Sequence, residues 1–236
     1  MKILAIDSTA LVASVAICED EVLLGEVTLN NGNTHSETLL PTVEFLLSHL
    51  SLTRDDIDLF ALSEGPGSFT GVRIGAATVK GLAFGTRKPC VGVSTLEALA
   101  YNLRSHDGLI CPVMNARRKQ VYTALFKAEG NQLTRLMPDS AIAIEELDAR
   151  LENEARPIRL VGDGYDITHE LLRHETLFVP HDLRNQSAYS VAQIARLTLL
   201  RSPEGSFSDL ELAPTYLRLS QAERERNERL QKDTGI

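Results

Sequence analysis

The residue types best suited to chemistry fall in one segment, Glu64-Gly65-Pro66-Gly67-Ser68-Phe69-Thr70-Gly71-Val72-Arg73-Ile74-Gly75. Glycines that follow a short apolar run, with Ser68 and Thr70 opening a helical pattern, gather free backbone N–H groups and the positive end of a helix dipole in one place. That arrangement can cradle a phosphate. The same residues have a simpler use, with Ser68 or Thr70 capping the helix and Gly67 making the turn. A Walker loop is excluded, because no Lys-Ser or Lys-Thr follows at the required spacing. Asp7-Ser8-Thr9 ends the first apolar run, where an ATPase of duplicated design places an acid beside metal and phosphates; an Asx or Ser/Thr turn uses the same residues. Such a design needs a second acid at the matching place of its second half, and there the chain reads Met114-Asn115-Ala116-Arg117. Without that carboxylate, metal-assisted hydrolysis lacks a ligand or base.

Other candidates resolve into local structure. Thr34-His35-Ser36-Glu37 holds a Ser, a His and an acid, yet Thr-x-x-Glu before an apolar run is a capping box, which needs no hydrolase. Ser94-Thr95-Leu96-Glu97 reads as a second box. His49, His106, His169, His174 and His181 lack ligand spacing, so no metal site is expected. Cys18, Cys90 and Cys111 are three, far apart and set in apolar stretches, which points to buried thiols. Arg117-Arg118-Lys119 puts three cations in a turn that either meets an anion, a partner's acids or a nucleotide's phosphates, or is simply solvated.

These residues need a scaffold, and the hydrophobic pattern supplies one. Lys2 to Ile6, Ala13 to Cys18 and Val22 to Leu29 read as three strands of a meander. Leu39, Val43, Leu46, Leu47 and Leu50 share one face of a helix over Thr34 to Leu50, which Pro41 should kink or delay. Leu59 to Leu62 is a strand, Thr70 to Phe84 a helix and Pro89 to Val93 a strand. The order β-β-β-α-β-α-β is half of a ribonuclease-H-like or actin-like fold. It recurs in weaker form with strands at Leu109 to Met114, Gln120 to Ala128, Gln132 to Leu136 and Ile158 to Val161, and helices near Ile144 to Leu151, Ile167 to Arg173 and Ser190 to Leu200. The expectation is a two-lobed α/β protein: residues 1–101 as the first lobe, 102–213 as a degenerate second and 214–236 as a C-terminal helical segment with alternating Glu and Arg. In such a fold Gly162-Asp163-Gly164 sits where a nucleoside is contacted, although a plain turn also explains it. Asp7, Ser8, Thr9, Gly65, Gly67, Ser68, Gly162 and Gly164 are thus the candidates for a vestigial nucleotide site. Gly71, Gly75, Ala76, Ala77, Thr78 and Gly81 make the second helix rich in small residues, which suits close approach to its own sheet or to another protein.

The 236 residues are enough for two lobes with a substantial core; 43% are hydrophobic and 24% charged, ordinary for a globular chain. With 24 basic against 32 acidic residues the net charge is -8, which disfavours stable tRNA or other nucleic-acid binding by the chain alone. The first apolar run is too short for a signal peptide or a membrane span, so a cytoplasmic protein is expected.

Taken together, Ile3-Leu4-Ala5-Ile6-Asp7-Ser8-Thr9, His35-Ser36-Glu37-Thr38-Leu39-Leu40-Pro41 and the Gly65 to Gly75 segment resemble the TsaB (YeaZ) family. Val91 to Leu99 and Ala213-Pro214-Thr215-Tyr216-Leu217-Arg218 also match. The resemblance is dense to about Tyr101 and patchy beyond. It implies a fold of the acetate kinase, Hsp70 and actin type. It also implies a non-catalytic subunit that pairs with the catalytic paralogue TsaD and the ATPase TsaE to make N6-threonylcarbamoyladenosine at position 37 of tRNA. Where TsaD carries two metal-binding histidines, this chain has Thr95 and Leu99, and where the family has Asp-Ala-Arg it has Asn115-Ala116-Arg117. By the same resemblance the helices from His35 and Thr70 form the partner interface, through His35, Glu37, Leu40, Thr70, Gly71, Arg73, Ile74, Gly75 and Thr78. Gly75→Leu is expected to abolish partner binding and leave the monomer folded. An exposed small-residue face also admits a homodimer of the free chain. No cofactor is expected, with ATP or ADP at the partner interface left open. The rival readings are an active actin-like ATPase or kinase, a metalloprotease and a scaffold for another partner.

Overall fold

The computed structural model describes residues 1–203 and 205–218. Strands β1 (Lys2–Asp7), β2 (Ala13–Glu19) and β3 (Val22–Leu29) form the expected antiparallel meander. At Thr34 the Glu37 carboxylate accepts from the backbone N–H at 3.3 Å and from the hydroxyl at 2.8 Å, and α1 (His35–His49) begins. Pro41 does not delay that start. Its missing N–H would have served the carbonyl of Glu37, an exposed residue that solvent can serve instead. Next come β4 (Leu59–Gly65), α2 (Phe69–Ala83), β5 (Cys90–Ser94) and α3 (Thr95–Tyr101). The sheet order is β3-β2-β1-β4-β5, with β4 parallel to both neighbours.

The second half comprises β6 (Gly108–Asn115), β7 (Gln120–Glu129), β8 (Gln132–Ala143), α4 (Ile144–Arg150), β9 (Ile158–Val161), α5 (Tyr165–Leu171), β10 (Thr176–Leu177) and α6 (Ala188–Arg201). Its sheet order, β8-β7-β6-β9-β10, repeats the first strand for strand. The two-residue β10, too short to register as a hydrophobic run, completes the repeat. β8 extends well past the expected Leu136 because Met137 and Ser140 to Ala143 still pair with β7, Pro138 being accommodated in the irregularity between them at the sheet edge.

Period-two alternation sorts the first core. Leu4, Ile6, Phe60 and Leu62 face Leu39, Val43 and Val79 of α1 and α2, while Ile3, Ala5, Leu59 and Ala61 face the other side. That other side is covered by Ala188, Val191, Ala192 and Ala195 of α6. A division at residue 102 therefore misassigns α6: by sequence it ends the second lobe, but its small-residue face packs on the first sheet. Leu96, Leu99 and Leu103, on and after α3, conversely join the second core with Ile110, Val113 and Leu147. The two halves exchange their last helices.

Two further expectations are corrected. Ser94 Oγ does accept from the Glu97 N–H at 3.3 Å, but the Glu97 carboxylate pairs with Arg135 at 2.8 Å instead of closing the second box, because β8 brings that guanidinium within reach. Residues 214–218 are not helical: they run as an extended strap held by hydrogen bonds to both halves. The Glu/Arg helix expected at Ala222 to Lys232 lies outside the described residues.

Candidate functional site

The carboxyl ends of β1 and β4 in one sheet and of β6 and β9 in the other converge on a cleft of about 780 Å³, the place where parallel strands of open α/β sheets present their ligand-binding loops. Thr9, Gly67 and Ser68 line it from the first half, and Asn115, Arg117 and Asp163 from the second. The strap Thr215-Tyr216-Leu217-Arg218 forms part of its wall.

Asp7 is sealed behind this wall, with no exposed surface. One carboxylate oxygen accepts from the Thr9 N–H at 2.9 Å and hydroxyl at 2.7 Å, the other from Ser63 at 2.5 Å. Burial pushes the Asp7 carboxyl above the usual range, against the lowering pull of those hydrogen bonds. An acid so placed holds the strand end together and does not face the cleft. Ser8 is equally buried and donates to the Gly71 carbonyl at 2.9 Å.

The glycines are where helices cross strand ends. A Cβ on Gly71 would lie 2.0 Å from the Ser8 carbonyl oxygen, one on Gly75 2.4 Å from Ser8 Oγ and 2.8 Å from Leu62 Cδ1, and one on Gly67 2.4 Å from the Thr9 carbonyl oxygen. Gly71 and Gly75 thus meet the chain's own sheet. Both are buried, and the expectation that they form a partner surface, and that Gly75→Leu spares the monomer, is corrected accordingly. Gly162 and Gly164, unlike Gly67 and Gly71, do not line the cleft: a Cβ on them would lie 2.3 and 3.0 Å from the Val113 carbonyl oxygen, so they seat α5 against β6. Gly65, with φ of +120°, makes room for the Thr215 carbonyl.

On the outer side of α1 and α2 the other proposed contact residues are accessible to different degrees. Glu37, Leu40, Thr70 and Arg73 are exposed; His35, Ile74 and Thr78 are half-buried. His35 Nε2 lies 2.7 Å from the Ala10 carbonyl oxygen, and Thr78 donates to the Ile74 carbonyl at 2.9 Å. Phe45, exposed like Leu40 on α1, and the exposed Ala77 and Gly81 of α2 extend this face.

Sequence reasoning missed two participants. Asp163, lying between the two noted glycines, accepts from the Asn115 N–H at 3.1 Å, and burial raises its carboxyl above the usual range. It brings a carboxylate to the cleft beside the missing one. The strap was visible only as a motif. Thr215 donates to the Glu64 carbonyl at 2.7 Å, Tyr216 Oη accepts from Arg73 Nε at 2.8 Å, and Arg218 reaches the Ala116 carbonyl at 2.5 Å, tying the two halves at the cleft. Arg73 also stacks over Phe69, 3.8 Å from its ring centre.

The thiols are inert: burial pushes Cys18 up to about 12 and Cys90 and Cys111 up to about 11. Among the described residues no group of three or more His, Cys, Asp or Glu is placed to hold a metal ion, and no helix is long and apolar enough to cross a membrane.

The family model described as "TsaD: tRNA N6-adenosine threonylcarbamoyltransferase" matches residues 23–225. The tRNA threonylcarbamoyladenosine biosynthesis protein TsaB of Bacillus subtilis is 31% identical over 223 residues, covering 94% of this chain and 96% of the relative. The chain belongs to the TsaB family. The TsaB of Escherichia coli is 36% identical over 174 residues, 72% of this chain and 75% of that one. The solved structure of YeaZ from Pseudomonas aeruginosa superposes with a TM-score of 0.80 at 25% identity, over 92% of this chain and 99% of that one. The actin-like α/β fold and the place in tRNA threonylcarbamoyladenosine biosynthesis are those of the TsaB family.

Proposed function

We propose that this TsaB-family chain is the non-catalytic subunit of the complex that makes N6-threonylcarbamoyladenosine in tRNA, binding and activating TsaD together with the ATPase TsaE. The observation that carries the reading is the outer face of α1 and α2. Leu40 and Phe45 of α1 are 47% and 51% exposed, and Ala77 and Gly81 of α2, which packs against α1, are exposed and small enough to let another backbone approach. The other half of the reading, absence of catalysis, draws support from Asp7, whose oxygens are committed inside the protein, and from Asn115 across the cleft. At the two positions matching the metal histidines of TsaD stand Thr95 and Leu99, 0% and 1% exposed, with Leu99 part of the second core.

The test is reconstitution of tRNA modification from purified TsaD, TsaE and the enzyme that makes the threonylcarbamoyl donor, with and without this chain. Modification that needs the chain, lost on Phe45→Glu or Ala77→Arg together with co-purification, supports the reading; full modification without it overturns it. The rival ATPase reading has one observation in its favour, the cleft carboxylate of Asp163. ATP turnover by the purified chain, abolished by Asp163→Asn, would establish that reading; the expected turnover is nil.

A further inference from the structure

The β6–β7 turn is not absorbed by that reading. Arg117, Arg118 and Lys119 have φ of 64°, 54° and 57°. Non-glycine residues visit this left-handed region singly, and runs of it are disfavoured by contact between Cβ and the carbonyl. Asp20, Ser51, Arg87 and Asn131 are the other non-glycine cases among the described residues, and none adjoins another. The conformation is held at its base. Asn115 Oδ1 accepts from the Arg117 N–H at 2.8 Å, the Arg117 carbonyl accepts from Gln120 at 3.1 Å, and the Lys119 carbonyl accepts from Ile144 at 3.1 Å. Asn115 is itself fixed by Asp163.

All three side chains are exposed, and among the described residues none has an acidic partner. Exposed cations without an acidic partner also occur singly, as at Arg73 and Arg87, but nowhere else among the described residues do three adjoin. Arg54, Arg135, Arg150, Arg156, Arg173, Arg184 and Arg196 all pair with carboxylates, as expected where acids outnumber bases by 32 to 24. A strained, hydrogen-bonded turn that keeps its three cations away from a surplus of carboxylates is arranged for an external anion.

We propose that Arg117, Arg118 and Lys119 form a phosphate-binding site that this chain contributes to the assembled complex, its ligand being the phosphodiester backbone of the substrate tRNA. The proposal rests on the reading above. Arg117 lines the cleft, whereas Arg118 and Lys119 lie outside it. A small anion inside the cleft would meet one of the three; a polymer carrying regularly spaced charges past the mouth can meet them all. The net charge of -8 opposes RNA binding by the chain alone, so the contribution is read in the complex.

The test uses the reconstituted complex with an unmodified tRNA transcript. Asparagine tolerates the left-handed region, so Arg117→Asn/Arg118→Asn/Lys119→Asn keeps the turn while removing its charge. The expected result is a tRNA KM raised about tenfold at physiological salt, kcat at saturating tRNA within about twofold, and a log KM against log salt slope shallower by about 2. Arg117→Lys/Arg118→Lys should stay within about twofold of wild type. If the triple variant fails to fold, Arg118→Asn alone should raise KM about threefold. Unchanged KM and slope overturn the proposal. So does loss of TsaD or TsaE from the variant complex, which would make the turn a contact for an acidic protein surface. A wild-type chain that proves dispensable for modification would instead sink the subunit reading, independently of the turn.

Discussion

The two sheets share one strand order and differ in what is built around it. At the end of β1 stands an acid, Asp7, buried with both oxygens engaged; at the end of β6 stands Asn115, exposed, bonded to its own turn. Between the first sheet's strands run two helices of 15 residues; their counterparts in the second have 7. One feature is common to both. The loop or helix after the fourth strand carries a glycine whose Cβ would strike a carbonyl near the end of the first, Gly71 against Ser8 just beyond β1 and Gly162 against Val113 inside β6. Close helix-to-strand approach is therefore a demand of the fold in either half, while the acid and the long helices are additions that one half carries. Only helices as long as α1 and α2 can bury one face on their sheet and still offer a broad outer face to a partner.

The comparison yields tests in descending order of effect. Gly71→Ala and Gly162→Ala should both destabilise the monomer by about 3 kcal/mol in urea unfolding, since the obstacle is backbone in each case. A loss under about 1 kcal/mol at either would mean the two crossings are not equivalent. Next, Phe45→Glu should weaken TsaD binding more than tenfold by titration with little change in monomer Tm, whereas Leu171→Glu on the exposed surface of α5 should leave binding unaltered. Equal effects would erase the functional distinction between the halves.

The acids differ in pH behaviour. The Asp7 carboxyl sits above its ordinary 3.8 in the folded chain, so over the window between the two values the native state keeps a proton that the unfolded state releases. Stability is thus favoured below that window and declines as pH rises through it. The Tm of Asp7→Asn minus that of wild type should increase as pH rises above about 4; a flat difference would show that the burial cost is fully offset by Ser63 and Thr9. Asn115→Asp, at an exposed site, should shift stability by less than about 0.5 kcal/mol. Comparably small, Gly81→Ala, whose Cβ meets nothing within 4 Å, should stabilise the free monomer by about 0.5 kcal/mol. If the same change weakens TsaD binding, Gly81 is kept for approach from outside.

Much of this was legible in the chain because it depends on neighbours in sequence. Alternating Leu4, Ile6 and Ile3, Ala5, the Thr34–Glu37 box, and the cap at Ser68 are decided within a few residues, and the structure reproduces them. The density of motifs up to Tyr101 likewise sufficed for the family. Residues far apart in sequence had to be brought together by tertiary structure before the rest could be read. Whether Gly71 and Gly75 face inward or outward depends on where α2 crosses Ser8, 63 positions away in the case of the Ser8–Gly71 bond. The crossover of α6 onto the first sheet, the strap from Thr215 to Arg218 and the arrival of Asp163 beside Asn115 are long-range contacts with no local signature. Sequence by itself determined the repeated strand-and-helix pattern and the glycine-rich crossing, because periodicity and turn chemistry are local. Tertiary structure decided that the Gly65 to Gly75 segment serves mainly to press a helix onto a strand end, because only packing reveals which atoms a missing side chain makes room for.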